Sequence, residues 1–179
     1  MSGPIRGAHL DEVNERLKDW PVYRRSHRGE IANFVGCMGE VIVERWLRRR
    51  GFDCKTVGEI SHDMEMHDNG ELIMFDVKTK DRTVAPRPDY EATVPRYVYE
   101  KQNPHAYVFV SLKRDRDKGP RAFTEAHIVG AISRDEFNCR KYEVSKGPKS
   151  NGAVFFTDAY NVRIADLCEP QEFPRSVTI

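Results

Sequence analysis

The residues of this 179-residue chain best suited to chemistry lie in one stretch, residues 61–82, SHDMEMHDNGELIMFDVKTKDR. Asp63, Asp76 and Lys78 stand out there by type and spacing. Two carboxylates brought together bind a hard divalent cation such as magnesium, which takes oxygen ligands and keeps waters and substrate phosphate around it. A lysine beside them orients or activates a water, or stabilises charge that develops on a phosphate.

A turn is what brings these groups together. Asn69-Gly70 is a strong two-residue hairpin signal. With those residues at the turn, Asp68 lies opposite Glu71, and Asp63 lies opposite Asp76. Facing residues of an antiparallel pair project to one side of the sheet, with Cβ atoms about 4.5–5.5 Å apart. Alternation adds Lys78 and Glu65 to that side and assigns Met64, Met66, Ile73, Phe75 and Val77 to the other, a coherent core face. A slip of one residue would break the set. Like charges facing each other destabilise a sheet, so the two aspartates need a compensating charge, which a divalent cation would supply. The residues alone also fit a solvated hairpin face carrying an Asp–Lys ion pair of little energetic weight. Glu65 reads as a further ligand or as a solvent-facing charge. Asp68 reads as a turn former, because Asp side chains bond their own backbone there.

The flanking elements follow from periodicity. Residues 9–20 read as a short amphipathic helix, and Arg24, Arg25, His27 and Arg28 as a basic connector. Residues 29–50 read as the longest helix, with Ile31, Val35, Met38, Ile42 and Trp46 in one apolar stripe. Glu40 falls off that stripe. Gly36 and Gly39 cost helix stability, which points to close approach of another backbone and brings Glu40 near the sheet. Strands are expected at 52–57, 61–66, 71–80, 106–112 and 126–132, with weaker ones at 153–157 and 160–164. Residues 82–95, with three prolines, read as a loop, 96–102 as a short helix and 113–121 as a charged loop. The order predicts a mixed α/β or α+β sheet fold in one domain spanning 1–179. Within it, 1–28 form the N-terminal helix and connector, 29–112 the core, and 113–179 a C-terminal extension.

Asp63 and the tripeptide Asp76-Val77-Lys78, separated by a hairpin and preceded by Gly39-Glu40 in the helical segment GCMGEVIVERWL, resemble the PD-(D/E)XK nuclease superfamily. The likeness covers about residues 29–112. It implies a restriction-endonuclease-like core, a mixed central β-sheet flanked by helices. It implies catalytic roles for Asp63, Asp76, Lys78 and Glu40, with magnesium or manganese held by Asp63, Asp76, Glu40 and Val77. Lys78 would then assist attack of water on a phosphodiester. Two positions depart from the family pattern: His62 stands where proline is usual, and Asp76 where glutamate is commoner. A Gln-x-x-x-Tyr pair found in exonuclease branches is missing, since Ala106 lies four residues after Gln102 and Tyr107 one further. The resemblance implies a metal-dependent DNA endonuclease of phage or mobile-element, resolvase or restriction-like kind, many of which are homodimers. A DNA-binding or assembly protein that keeps the fold without catalysis is the alternative, and the clustered acids argue against it.

Charge is compatible with such a partner only when read locally. The net charge is +1, yet residues 1–50 carry 10 basic and 7 acidic side chains, residues 51–100 carry 6 and 11, and residues 101–179 carry 13 and 10. Lys80 shares the expected strand face of Asp76 and Lys78. Arg82, Arg25 and Arg28 add charges suited to DNA phosphates. Tyr97, Tyr99, Tyr107 and Phe109 read as core residues. The four cysteines form no C-x-x-C pair and read as reduced, mostly buried thiols. No apolar run approaches the roughly 20 residues of a membrane span, and the first residues lack the apolar stretch of a signal peptide. The expectation is a cytoplasmic protein of a bacterial or phage-infected cell, without membrane contact.

Overall fold

The computed structural model describes residues 1–18, 29–57, 61–148 and 154–175. In chain order its elements are β1 (Ser2–Pro4), α1 (Gly7–Leu17), α2 (Glu30–Arg49), β2 (Asp53–Thr56), β3 (Met64–Asp68), β4 (Glu71–Arg82), β5 (Glu91–Pro95), α3 (Arg96–Lys101), β6 (Ala106–Arg114), β7 (Phe123–Ser133), α4 (Arg134–Arg140), β8 (Tyr142–Val144), β9 (Gly147–Pro148), β10 (Val154–Phe155) and β11 (Ala159–Arg163). The fold is mixed α+β. Its central six-stranded sheet runs β1-β7-β6-β4-β3-β2, with β4 and β6 parallel and the other neighbours antiparallel. A second sheet runs β5-β11-β8, and β9 and β10 form a small ribbon. No helix among the described residues is long and apolar enough to cross a membrane.

The β3–β4 hairpin positions the site. Asn69 and Gly70 take φ values of 51° and 87°, as a turn with two positive φ angles requires. Asp68 therefore pairs with Glu71, and Met64 with Phe75. Met64, Met66, Ile73, Phe75 and Val77 are all buried on one face, as the alternation demands. β3 begins at Met64 where a strand was expected from residue 61, and β4 runs on to Arg82. Past Phe75, β4 keeps β6 on one side and, among the described residues, has no paired strand on the other.

Two cores flank the sheet. Val108, Val110 and Leu112 of β6 join α2 and the apolar face of β4 in the larger one. Tyr107 and Phe109, alternating with them, pack with Ala92, Val94, Phe137, Tyr160 and Val162 in the smaller one. Burial on both faces explains why residues 106–112 are apolar almost without interruption. Helix α2 is buried more widely than a single stripe. Phe34, Cys37, Val41, Val43 and Leu47 are buried along with Val35, Met38, Ile42 and Trp46, because the sheet covers one side while α1 lies against another. At Glu44 of α2, Arg16 of α1 makes a 2.7 Å ion pair.

Several expectations are corrected. Residues 82–95 are not all loop: β5 occupies their end. It tolerates Pro95 because that residue closes a strand that, among the described residues, is an edge paired with β11. β1, α4 and β8 were not anticipated; each is short and lacks a full period of pattern. Tyr107 and Phe109 are core residues, but Tyr97 is 55% exposed and Tyr99 half-buried. Cys37 and Cys54 are buried thiols, whereas Cys139 is exposed and Cys168 intermediate. Gly39 is the glycine that packs: a Cβ there would lie 1.9 Å from Thr79 Oγ1 of β4. Gly36 has open space.

Candidate active site

Asp63 sits just ahead of β3, where the hairpin ladder has ended. Its Oδ2 accepts the Val77 N–H at 3.0 Å, so a side chain does the work of the missing strand. Asp76 and Lys78 project from the opposite side of β4 to Val77 and Thr79. The Lys78 ammonium lies 2.8 Å from Asp76 Oδ2 and 3.7 Å from Asp63 Oδ2. It also donates to Gln102 Oε1 at 3.2 Å, just past the end of α3. The expected convergence of Asp63, Asp76 and Lys78 is thus present, and the hairpin register produces it.

Electrostatics set these groups apart from a solvated ion pair. Asp76 is 0% exposed, and the Lys78 ammonium is the partner its carboxylate has at 2.8 Å. Burial pushes its pKa up to about 6; Lys78 pulls the other way, and the neighbouring Asp63 carboxylate adds to the rise. Burial disfavours the Lys78 ammonium, but Asp63 and Asp76 outweigh it and raise the lysine above its ordinary value. Glu40 is 6% exposed, and its Oε2 has no hydrogen-bond partner among the described residues. Burial drives the Glu40 carboxyl well above the usual range. Asp63 and Asp76 push it further, while Arg16 and Lys78 oppose them. Glu40 therefore belongs to the same electrostatic cluster, brought to β4 by the Gly39–Thr79 contact.

The other expected residues divide. Val77 buries its side chain in the core. Because the N–H and C=O of one strand residue point to the same edge, its carbonyl faces the edge that Asp63 occupies. Glu65 turns away from the cluster: its carboxylate meets His62 Nε2 and Lys55 Nζ, each at 3.1 Å. Lys80 donates to Thr93 Oγ1 at 3.1 Å, and Arg82 to the Glu91 carbonyl at 2.8 Å, inside a cleft between β4 and the second sheet. Arg25 and Arg28 lie outside the described residues. Of the expected charged loop, Lys113 and Arg114 belong to β6 and have partners of their own, Lys113 with Glu125 at 2.7 Å and Arg114 with Asp81 at 3.2 Å. Gln102 is the site residue that sequence reasoning passed over. Its spacing to a tyrosine fitted no motif, yet the end of α3 brings it to Lys78.

The donors can be tested against a metal. Among the described residues, no group of three or more His, Cys, Asp or Glu side chains is gathered closely enough to hold an ion as it stands. Lys78 bridges the two aspartates instead. The chemistry nonetheless fits a hard cation. Three carboxylates share the cluster, and among the described residues Asp76 Oδ1 and Glu40 Oε2 lack the hydrogen bonds that buried polar atoms normally make. No protein-family model matches the chain, and no curated protein matches it in sequence.

Proposed function

We propose that this protein is a metal-dependent DNA endonuclease with a restriction-endonuclease-like core, using magnesium or manganese. The observation that carries the reading is the fully buried Asp76 carboxylate, paired with the Lys78 ammonium and held beside Asp63 and the buried Glu40, whose Oε2 has no hydrogen-bond partner among the described residues. A purely structural ion pair gains little from so costly a burial. Asp63, Asp76 and Glu40, with the Val77 carbonyl, would hold the cation. When bound, it lowers the pKa of water and polarises the phosphate. Asp63 and Asp76 raise the pKa of Lys78, which favours the ammonium form. Its part is to orient a water or donate to the phosphate and to stabilise developing negative charge. Gln102 fixes the direction of that ammonium.

Supercoiled plasmid incubated with magnesium or manganese, with and without chelator, tests the reading. Asp76→Ala and Lys78→Ala should each lower cleavage by about 100-fold or more. Cleavage that survives in either variant sinks the assignment. One observation favours a second reading, a DNA-binding or assembly protein without catalysis: Lys78 already supplies the charge that neutralises Asp76. A calorimetric titration separates the two, because only the enzyme should take up a divalent ion, and Asp76→Asn should abolish the uptake.

A further inference from the structure

The charged face of β4 continues past the aspartates. Lys80 and Arg82 follow Lys78 on it, and together they line a cleft of about 380 Å³ walled by residues of β5, β6, β10 and β11. Two residues of strand advance about 6.6 Å, so positive groups recur along the cleft floor at a step suited to an extended sugar-phosphate chain. Glu91 is the carboxylate among the lining residues, and its Oε1 already accepts the Tyr142 hydroxyl at 2.8 Å. Burial and the neighbouring Arg82 push the Lys80 pKa down to about 8, with Glu91 opposing them. From β6, Ser111 is 2% exposed and its hydroxyl has no hydrogen-bond partner among the described residues. The same holds for Arg82 Nε. The Phe155 ring stands 5.5 Å from Lys80 Nζ, and the neighbouring Phe156 is exposed.

Crowded cations, an idle buried hydroxyl and an aromatic wall fit an anion that carries a flat ring. We propose that the cleft holds one unpaired strand of DNA, with a phosphodiester against Lys80, Arg82 and Ser111 and a base on Phe155, leading into the Asp63–Asp76–Lys78 cluster. The inference rests on the nuclease reading and narrows its substrate to single-stranded or strand-separated DNA. At about 380 Å³ the cleft lies near the lower end of the roughly 300–1,000 Å³ of small-molecule sites, the scale of a nucleotide rather than of a base-paired duplex. Stacking on an aromatic ring suits any base, so the cleft would bind without sequence preference.

Binding is measured on the full chain in chelator by fluorescence anisotropy, with a dye-labelled oligothymidine and a duplex of equal length. The single strand should bind at least about tenfold more tightly than the duplex. Lys80→Gln should weaken it about fivefold and reduce the salt slope by about 0.7, one phosphate contact. Phe155→Ala should weaken it about tenfold. Ser111→Ala separates binding from folding. Removing a buried hydroxyl that has no partner should leave the melting temperature unchanged or raised while affinity falls. Equal affinity for the two DNAs overturns the proposal, as does wild-type affinity in both Lys80→Gln and Ser111→Ala. The two readings fail separately. Strand binding without any metal-dependent cleavage would sink the nuclease and leave the cleft. Metal-dependent cleavage without preferential strand binding would sink the cleft and leave the nuclease.

Discussion

At the scale of single residues, Asp76 has an ordinary pKa of 3.8 that burial raises to about 6. Between those values the folded protein binds more protons than the unfolded chain. Stability is therefore lost as pH rises through that window and regained as it falls. Glu40, also raised by burial, acts in the same direction. In chelator the protein should melt higher at about pH 5 than at pH 7. Glu40→Gln should flatten that dependence and raise the melting temperature at pH 7 by about 2–4 °C, the shift given by 1 kcal/mol in a chain of this size. Cleavage should fall in the same variant, and calorimetric melts across pH check the sign. Asp63, Asp76 and Lys78 could be read from sequence because one turn fixes which residues face each other. Gln102 could not. It lies 24 residues from Lys78 and meets it only because the chain crosses from β4 to a parallel β6.

At the scale of elements, α2 and β4 meet through a glycine. A methyl group at Gly39 would collide with Thr79, so Gly39→Ala should destabilise by about 1–3 kcal/mol even though alanine favours helix. Gly36→Ala meets open space and should stabilise by up to about 1 kcal/mol. Denaturant unfolding of the two variants provides the comparison, and Thr79→Ala should partly rescue Gly39→Ala. The sequence made both glycines look alike, because helical spacing does not reveal which turn of a helix crosses which strand. The apolar stripe on α2 was legible, but the further burial imposed by α1 was not: it depends on Arg16 reaching Glu44, a contact between elements.

At the scale of the whole molecule, the C-terminal part closes the larger core. Phe173 is 0% exposed, stacks against Trp46 of α2 and meets Phe75 of β4 edge-on. Arg50, at the end of α2, donates to the carbonyls of Gln171 and Phe173 at 2.8 and 2.6 Å. Phe173→Ala should cost about 3–5 kcal/mol, seen as a lower denaturation midpoint at unchanged slope. This closure was illegible, since an isolated aromatic near the end of a polar stretch carries no periodicity. The second sheet was half legible: β11 showed as the weaker strand at 160–164, while the short β5 and β8 are defined mainly by pairing with it. One consequence of the hairpin reaches beyond the site. Past Phe75, no strand among the described residues pairs with the second edge of β4, and an unpaired strand edge needs other partners for its backbone groups. The group that covers the Val77 N–H is the Asp63 carboxylate. The acid that would hold the metal thus also makes the backbone hydrogen bond that a neighbouring strand would otherwise make, so the end of the β3–β4 ladder and the site's chemistry depend on the same side chain.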